Sequence, residues 1–120
     1  MADCKFEKKF RLLSASDFSA LKIGSLSIKK PAVIVYYKKN SLNLTRIGLS
    51  VSKKIGNSVI RNRLKRLIRE LFRQSSNKYL GYDILFVVSW SRAIINIPQS
   101  KKEETLLLNI SDFFSHLENL

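Results

Sequence analysis

The chain has one cysteine, one histidine and nine acidic residues among 120. Each shortage removes a class of function. Cys4 has no second cysteine with which to close a disulfide, and no CxxC companion, which fits a reducing compartment and argues against a metal cluster. His116 stands alone beside Phe114 and Leu117, a setting that suits a core-edge or surface histidine better than a general base. The carboxylates are scattered. Glu103 and Glu104 are adjacent, but that position serves a helix N-terminus. A protein-only nuclease needs a carboxylate cluster for its metal ions, and none can be assembled. No His/Cys/carboxylate group has metal-ligand spacing, and no P-loop or Rossmann glycine pattern occurs. The longest purely apolar run, Ile84 to Val88, is far short of a membrane span, and "MADCKFEKKFRLL" lacks the apolar core of a signal peptide. Together these absences predict a soluble, cytoplasmic protein with no membrane contact and no catalytic residues of its own.

Positive charge is what the chain has in excess. There are 22 Lys and Arg, a formal net charge of +13, alongside a hydrophobic content of 45% that is normal for a globular chain. Such an imbalance costs self-repulsion in the folded state and makes most sense with an anionic partner, of which nucleic acid is the commonest. The length fits one domain, residues 1–120, with room for one modest core.

Periodicity gives the elements. "SASDFSALKIGS" reads as a short helix with Ser14 and Asp17 at capping-box-like spacing and Gly24 as its stop. "KKPAVIVYYKKN" reads as a strand with Pro31 at its start; Val33, Val35 and Tyr37 point one way, Ala32, Ile34 and Tyr36 the other. After a turn at "SLNL", "TRIGLSVS" is a second strand, with Ile47, Leu49 and Val51 facing a core and Arg46, Gly48, Ser50 and Ser52 facing away. "GYDILFVVSW" has the continuous apolar middle of a buried strand. A loop, "SRAIINIPQ", leads to a last helix, capped by Ser100 with Glu103 at the capping-box position and striped by Leu106, Leu107, Ile110, Phe113, Phe114 and Leu117. The order is helix, strand, strand, helix, strand, helix. It predicts an α/β (α+β) two-layer sandwich, helices on a small mixed sheet, with a possible parallel crossover from Ile47 to Val88.

The fourth element in that order is "GNSVIRNRLKRLIRELFR", Gly56 to Arg73. At about 100° per residue, Ile60, Leu64, Leu67, Ile68 and Leu71 share one apolar sector. Asn62, Lys65, Arg66, Arg69 and Arg73 lie opposite, with Arg61 and Arg63 on the flanks. Asn57 or Ser58 can cap the start, with Gly56 allowing a sharp approach. Ordinary solvated helices mix charges and gain from Glu–Lys pairs four residues apart, whereas here Arg61–Lys65, Lys65–Arg69 and Arg69–Arg73 set like charges at that spacing, each costing roughly 0.2–0.5 kcal/mol in an isolated helix. A face that accepts this repeatedly suits a polyanion, and guanidinium forks bind phosphate bidentately. A solubilising face and anionic lipid are the competing readings; the lipid reading would need the helix's apolar side, which the core also needs. Tyr36 and Tyr37 face opposite ways, so one is expected in the core and the other available for stacking on single-stranded RNA. Trp90 suits packing or loop anchoring.

"GLSVSKKIGNSVIRNRLKRLIRELFR", Gly48 to Arg73, closely resembles the signature of the bacterial ribonuclease P protein component, a basic "RNR" helix behind an S-K-K-x-G-N turn. The early "FRLLSASDFSALKIGS", the aromatic strand, "YDILFVV" and the last helix follow in the family's order. The resemblance implies an αβββαβα fold like that of the second domain of a ribosomal protein, with an unusual left-handed βαβ crossover, against the usual rule. It implies a ribonucleoprotein subunit whose partner RNA holds the active site and cleaves the 5′ leader from precursor tRNA with Mg²⁺, with no obligate protein partner and no metal assigned to the protein. Lys53, Lys54, Asn57, Arg61, Asn62, Arg63, Lys65, Arg66, Arg69 and Arg73 would then meet the catalytic RNA. The leader would lie in a cleft between the first helix and the sheet, at Phe18, Tyr36, Arg46, Ser50 and Ser52. A second aromatic is common in that helix, three or four residues after Phe18; this chain has Leu21 and Lys22 there. The alternative is a ribosomal or chaperone-like protein that binds structured RNA without a processing role.

Overall fold

The computed structural model describes residues 15–119, apart from the side chains of residues 15–17, 76 and 77. The elements are helix α1 (Ala15–Gly24), strands β1 (Leu26–Lys29), β2 (Val33–Lys39) and β3 (Arg46–Val51), helix α2 (Ser58–Gln74), a 3₁₀ turn (Ser76–Tyr79), strand β4 (Tyr82–Val88) and helix α3 (Gln99–Glu118). The expected cap at Ser14 lies outside the described residues. The sheet order is β1-β2-β4-β3. β1 and β4 run antiparallel to β2, whereas β3 runs parallel to β4, so α2 is the crossover between them.

Alternation along the strands divides the sheet into two unlike faces. Val33, Val35 and Tyr37 of β2, Ile47 and Val51 of β3 and Ile84, Phe86 and Val88 of β4 are buried in one core with α2 and α3. Leu64, Ile68 and Phe72 come from α2, and Leu106, Ile110, Phe113, Phe114 and Leu117 from α3. Phe86 meets Phe113 and Phe114 edge-on, at centroid distances of 5.9 and 5.8 Å, a favoured arrangement for aromatic quadrupoles. The opposite face carries a smaller cluster, Leu21 of α1 on Leu85, with Phe18, Tyr36 and Val87 around it. α1 contacts β2 and β4.

Several expectations change here. β1 is an additional strand, which brings the order to αβββαβα. Local pattern misses it because Leu26, Ser27 and Lys29 are exposed and only Ile28 is half-buried. The cap of α3 is Pro98, with no side-chain hydrogen bond, and not Ser100, which lies inside the first turn. Pro98 starts the helix where its missing N–H costs nothing, its carbonyl accepting from the Lys101 and Lys102 amides. Glu103 then has a different use, described below. On α2 the buried line is Leu64, Ile68 and Phe72, with Leu67 only half-buried, so the helix sits roughly 60° round from the sector drawn from sequence. The cause is Phe72, fully buried with its ring 6.1 Å from that of Phe114.

Candidate nucleic-acid interface

The basic helix begins cleanly. Asn57 is its N-cap, and its Oδ1 accepts a hydrogen bond of 3.0 Å from the Ile60 amide. Only the Asn57 Nδ2 is therefore left to face an anion. Gly56 has an ordinary negative φ. Its value is room: a Cβ there would come within 3.1 Å of the Ile60 side chain. Arg61 is half-buried and folds back, its Nε donating to the Gly56 carbonyl at 3.1 Å. The roughly 60° rotation puts Arg66 at the centre of the exposed face between Val59 and Glu70, with Asn62 exposed to one side and Lys65, Arg69 and Arg73 half-buried beyond it. Val59, 71% exposed, shares this face. Arg63 is exposed but tied across to α3 by an ion pair with Glu103, whose Oε2 also accepts from Gln99 Nε2 at 3.0 Å. Lys53 and Lys54 are exposed in the turn between β3 and α2.

The second candidate surface is the sheet face under α1. Strand register arranges it in rows. Tyr36 pairs with Leu85, and Leu85 with Gly48; one step on, Ile34 pairs with Val87, and Val87 with Ser50. α1 covers the β2 side through Leu21, which is 2% exposed. Leu21 is thus the apolar anchor of the helix, and Lys22 is exposed. Phe18 and Tyr36 are half-buried at the margin of that contact. Over β3 the same face carries buried Gly48 and half-buried Ser50, with Ser52 exposed beyond the strand end. This face thus sets half-buried aromatics on the α1 side beside small residues on β3. Tyr37 faces the core, its ring 5.3 Å from that of Phe113.

Arg46 lies on the same face but is occupied. Its Nε and Nη2 donate to the two carboxylate oxygens of Asp83, at 2.9 and 2.8 Å. Asn40 Nδ2 adds a third bond to Asp83, at 2.8 Å. Burial alone would push the Asp83 carboxyl up; the hydrogen bonds from Arg46 and Asn40 and the charges of Arg46 and Lys38 outweigh it and hold the carboxyl below its usual range. The charge pattern of the sequence gave no sign of this pairing, because Arg46 and Asp83 are brought together only by the parallel register of β3 on β4. Trp90 is half-buried against the main core, with Lys102 Nζ 6.0 Å from its ring centroid.

Nothing among the described residues resembles a protein-held metal centre: no three His, Cys, Asp or Glu residues converge. Asp83, the buried carboxylate, is saturated by its own partners. No helix among the described residues is long and apolar enough to cross a membrane.

A family profile described as Ribonuclease P matches residues 6–110. The ribonuclease P protein component of Caldanaerobacter subterraneus subsp. tengcongensis is 35% identical over 113 residues, covering 93% of this chain and 97% of that one. Among solved structures, the RNase P protein of Staphylococcus aureus superposes with a TM-score of 0.70 at 30% identity, covering 89% of this chain and 99% of that chain. The RNase P protein of Thermotoga maritima superposes with a TM-score of 0.64 at 28% identity, covering 83% and 94%.

Proposed function

This chain belongs to the ribonuclease P protein family, and from that premise we propose that α2 docks it on the catalytic RNA while the groove under α1 takes the 5′ leader of precursor tRNA. As a ribonuclease P protein component it is part of an endoribonuclease holoenzyme that processes tRNA and partners the ribonuclease P RNA. The observation that carries the finer assignment is the division of the sheet. The cationic helix packs on one face, and Phe18 and Tyr36 lie half-buried on the other, so two RNA strands can be held without competing for one surface.

In this reading Arg66, at the centre of the exposed α2 face, and Asn62 beside it meet the catalytic RNA. Lys53, Lys54, Arg61, Lys65, Arg69 and Arg73 surround them with positive potential, and Arg63 and the Asn57 Nδ2 contact its edge. Phe18 and Tyr36 offer ring faces to bases of the leader, with Ser50 and Ser52 donating to its backbone. Arg46 serves the groove by fixing β3 against β4 through Asp83. Catalysis belongs to the RNA partner. In this reading the Mg²⁺ the holoenzyme uses is held by the RNA as well. The protein acts in the cytoplasm, where its RNA partners are made.

The test is leader cleavage by the cognate RNA with and without this protein across a range of Mg²⁺ concentrations. The protein is expected to lower the Mg²⁺ requirement and to cleave nothing without the RNA. An active cognate RNA that gains nothing from the protein refutes the reading, and cleavage by the protein alone refutes the assignment of catalysis to RNA.

A further inference from the structure

Beyond the proposed groove, at the end of the sheet where β1 and β4 finish and β2 begins, lies a pocket of about 470 Å³ lined by Lys29, Lys30, Ile34, Ser91 and Arg92 among others. Three cations line it and no carboxylate does. None of the three has an ion-paired partner among the described residues. Lys29 and Arg92 are exposed. Gathering like charges around a cavity without a counter-charge costs free energy unless an anion relieves it.

The wall is built rather than incidental. Asn109 of α3 accepts from the Ala32 amide at 3.0 Å, and Ala32 is fully buried. The Ala32 carbonyl in turn accepts from the Ser89 amide, and the Pro31 carbonyl from the Ser91 amide. Those bonds fix the Ser89–Arg92 segment against the β1–β2 turn. Ser91 Oγ, in this wall, is buried and is the side-chain polar atom among the described residues that lacks a hydrogen-bond partner. A buried hydroxyl without a partner is uncommon and marks a place where a ligand atom fits.

The pocket is continuous with the groove. Ile34 follows Tyr36 on the same face of β2, roughly 6.6 Å along the strand, and Lys29 is the cross-strand partner of Ile34. We propose that this pocket is a phosphate subsite closing the groove: it takes a backbone phosphate of the single-stranded leader next to the base on Tyr36. This rests on the groove reading given above. Lys29, Lys30 and Arg92 supply both the charge and the donors.

The test uses the assembled holoenzyme and the affinity of precursor tRNAs whose leaders lengthen one nucleotide at a time, with mature tRNA as reference. Lys29→Gln with Arg92→Gln removes two exposed charges and leaves half-buried Lys30 in place. This variant is expected to bind long-leader substrate several-fold more weakly and mature tRNA normally. The slope of log K against log salt should fall by about 0.7, the value for one phosphate on a single strand. Lys78→Gln, at the opposite end of the sheet, controls for net charge. An equal loss on mature tRNA, or a loss no greater than that of Lys78→Gln, overturns the proposal. Tyr36→Ala separates the two readings. If it weakens leader binding while Lys29→Gln/Arg92→Gln does nothing, the pocket falls and the groove stands. If it is silent while the double variant loses long-leader binding, the pocket stands and the stacking groove falls.

Discussion

Arg46, the first residue of β3, stands in register with Asp83, the second of β4, and the ion pair between them is partly shielded, with side-chain exposures of 27% and 12%. Around it, Asn40 Nδ2 bonds both Asp83 and the Leu44 carbonyl, and Thr45 Oγ1 accepts from the Gly81 and Tyr82 amides. Gly81 is required at its position: its φ is +81°, and a Cβ would lie 2.6 Å from the Leu42 carbonyl oxygen. Asp83→Asn keeps the shape and removes the charge, and is expected to cost about 1.5–3 kcal/mol at neutral pH, the range for hydrogen bonds to a charged group. Because the folded carboxyl titrates below its usual value, its contribution is complete above the ordinary carboxylate pKa of about 3.9 and is lost as pH falls through the lower folded value. Urea midpoints of the wild type and the variant should therefore differ by a constant amount from pH 5 to 7, and converge below about pH 4.

At the scale of the element, α2 joins an apolar side set by Leu64, Ile68 and Phe72 to a polar side centred on Arg66, with Asn62 on its flank. Arg66→Ala should leave the urea midpoint within about 0.5 kcal/mol of wild type, as for exposed substitutions generally. It should also lower the salt slope of binding to the catalytic RNA by about 0.9, one duplex phosphate, in a filter-binding series. Glu103→Gln should do the reverse. The exposed Arg63 ion pair is worth less than about 1 kcal/mol to stability, and removing the carboxylate both releases Arg63 and ends its repulsion of phosphate, so RNA affinity should rise. Strand β2 was legible from its run of Val, Ile and Tyr, and β3 from the alternation of Ile47, Leu49 and Val51 with Arg46, Gly48 and Ser50. Strand β1 was not, since it is held by pairing to β2 rather than by burial. The angular setting of α2 was legible only to within about one residue, because Phe72 is decided by the partner ring of Phe114, which lies 42 positions away in the chain. The Ser100 cap failed for a local reason: Pro98 starts the helix earlier than a side-chain cap would. Arg46 was placed on the correct face, and nothing local revealed that its guanidinium is used by Asp83.

For the whole molecule, the sheet separates the α2 surface from the groove, so variants on the two sides should have independent effects. Tyr36→Ala is expected to weaken holoenzyme affinity for leader-bearing substrate by about 1–3 kcal/mol, the usual contribution of one stacked base. It should leave assembly with the catalytic RNA unchanged. Equal losses for precursor and mature tRNA in the same titration would remove the leader from the groove. Combined with Arg66→Ala, the two free-energy changes should add to within about 0.5 kcal/mol, since the sites lie on opposite faces and share no partner.

The parallel pairing of β3 with β4 also sets an order of events during synthesis. Among the described residues β3 is an edge strand paired only to β4, and α2 emerges from the ribosome between them. α3 supplies Leu106, Ile110, Phe113, Phe114 and Leu117 to the core last of all. A nascent chain that has reached Pro98 already displays every cation of the α2 face, yet it lacks the aromatic floor that fixes the angle of that helix. Polyanion affinity is thus available before shape is. On the docking proposed for α2, selectivity would wait for the twenty residues of α3, so a helix made later would govern when the basic segment before it becomes a specific RNA ligand.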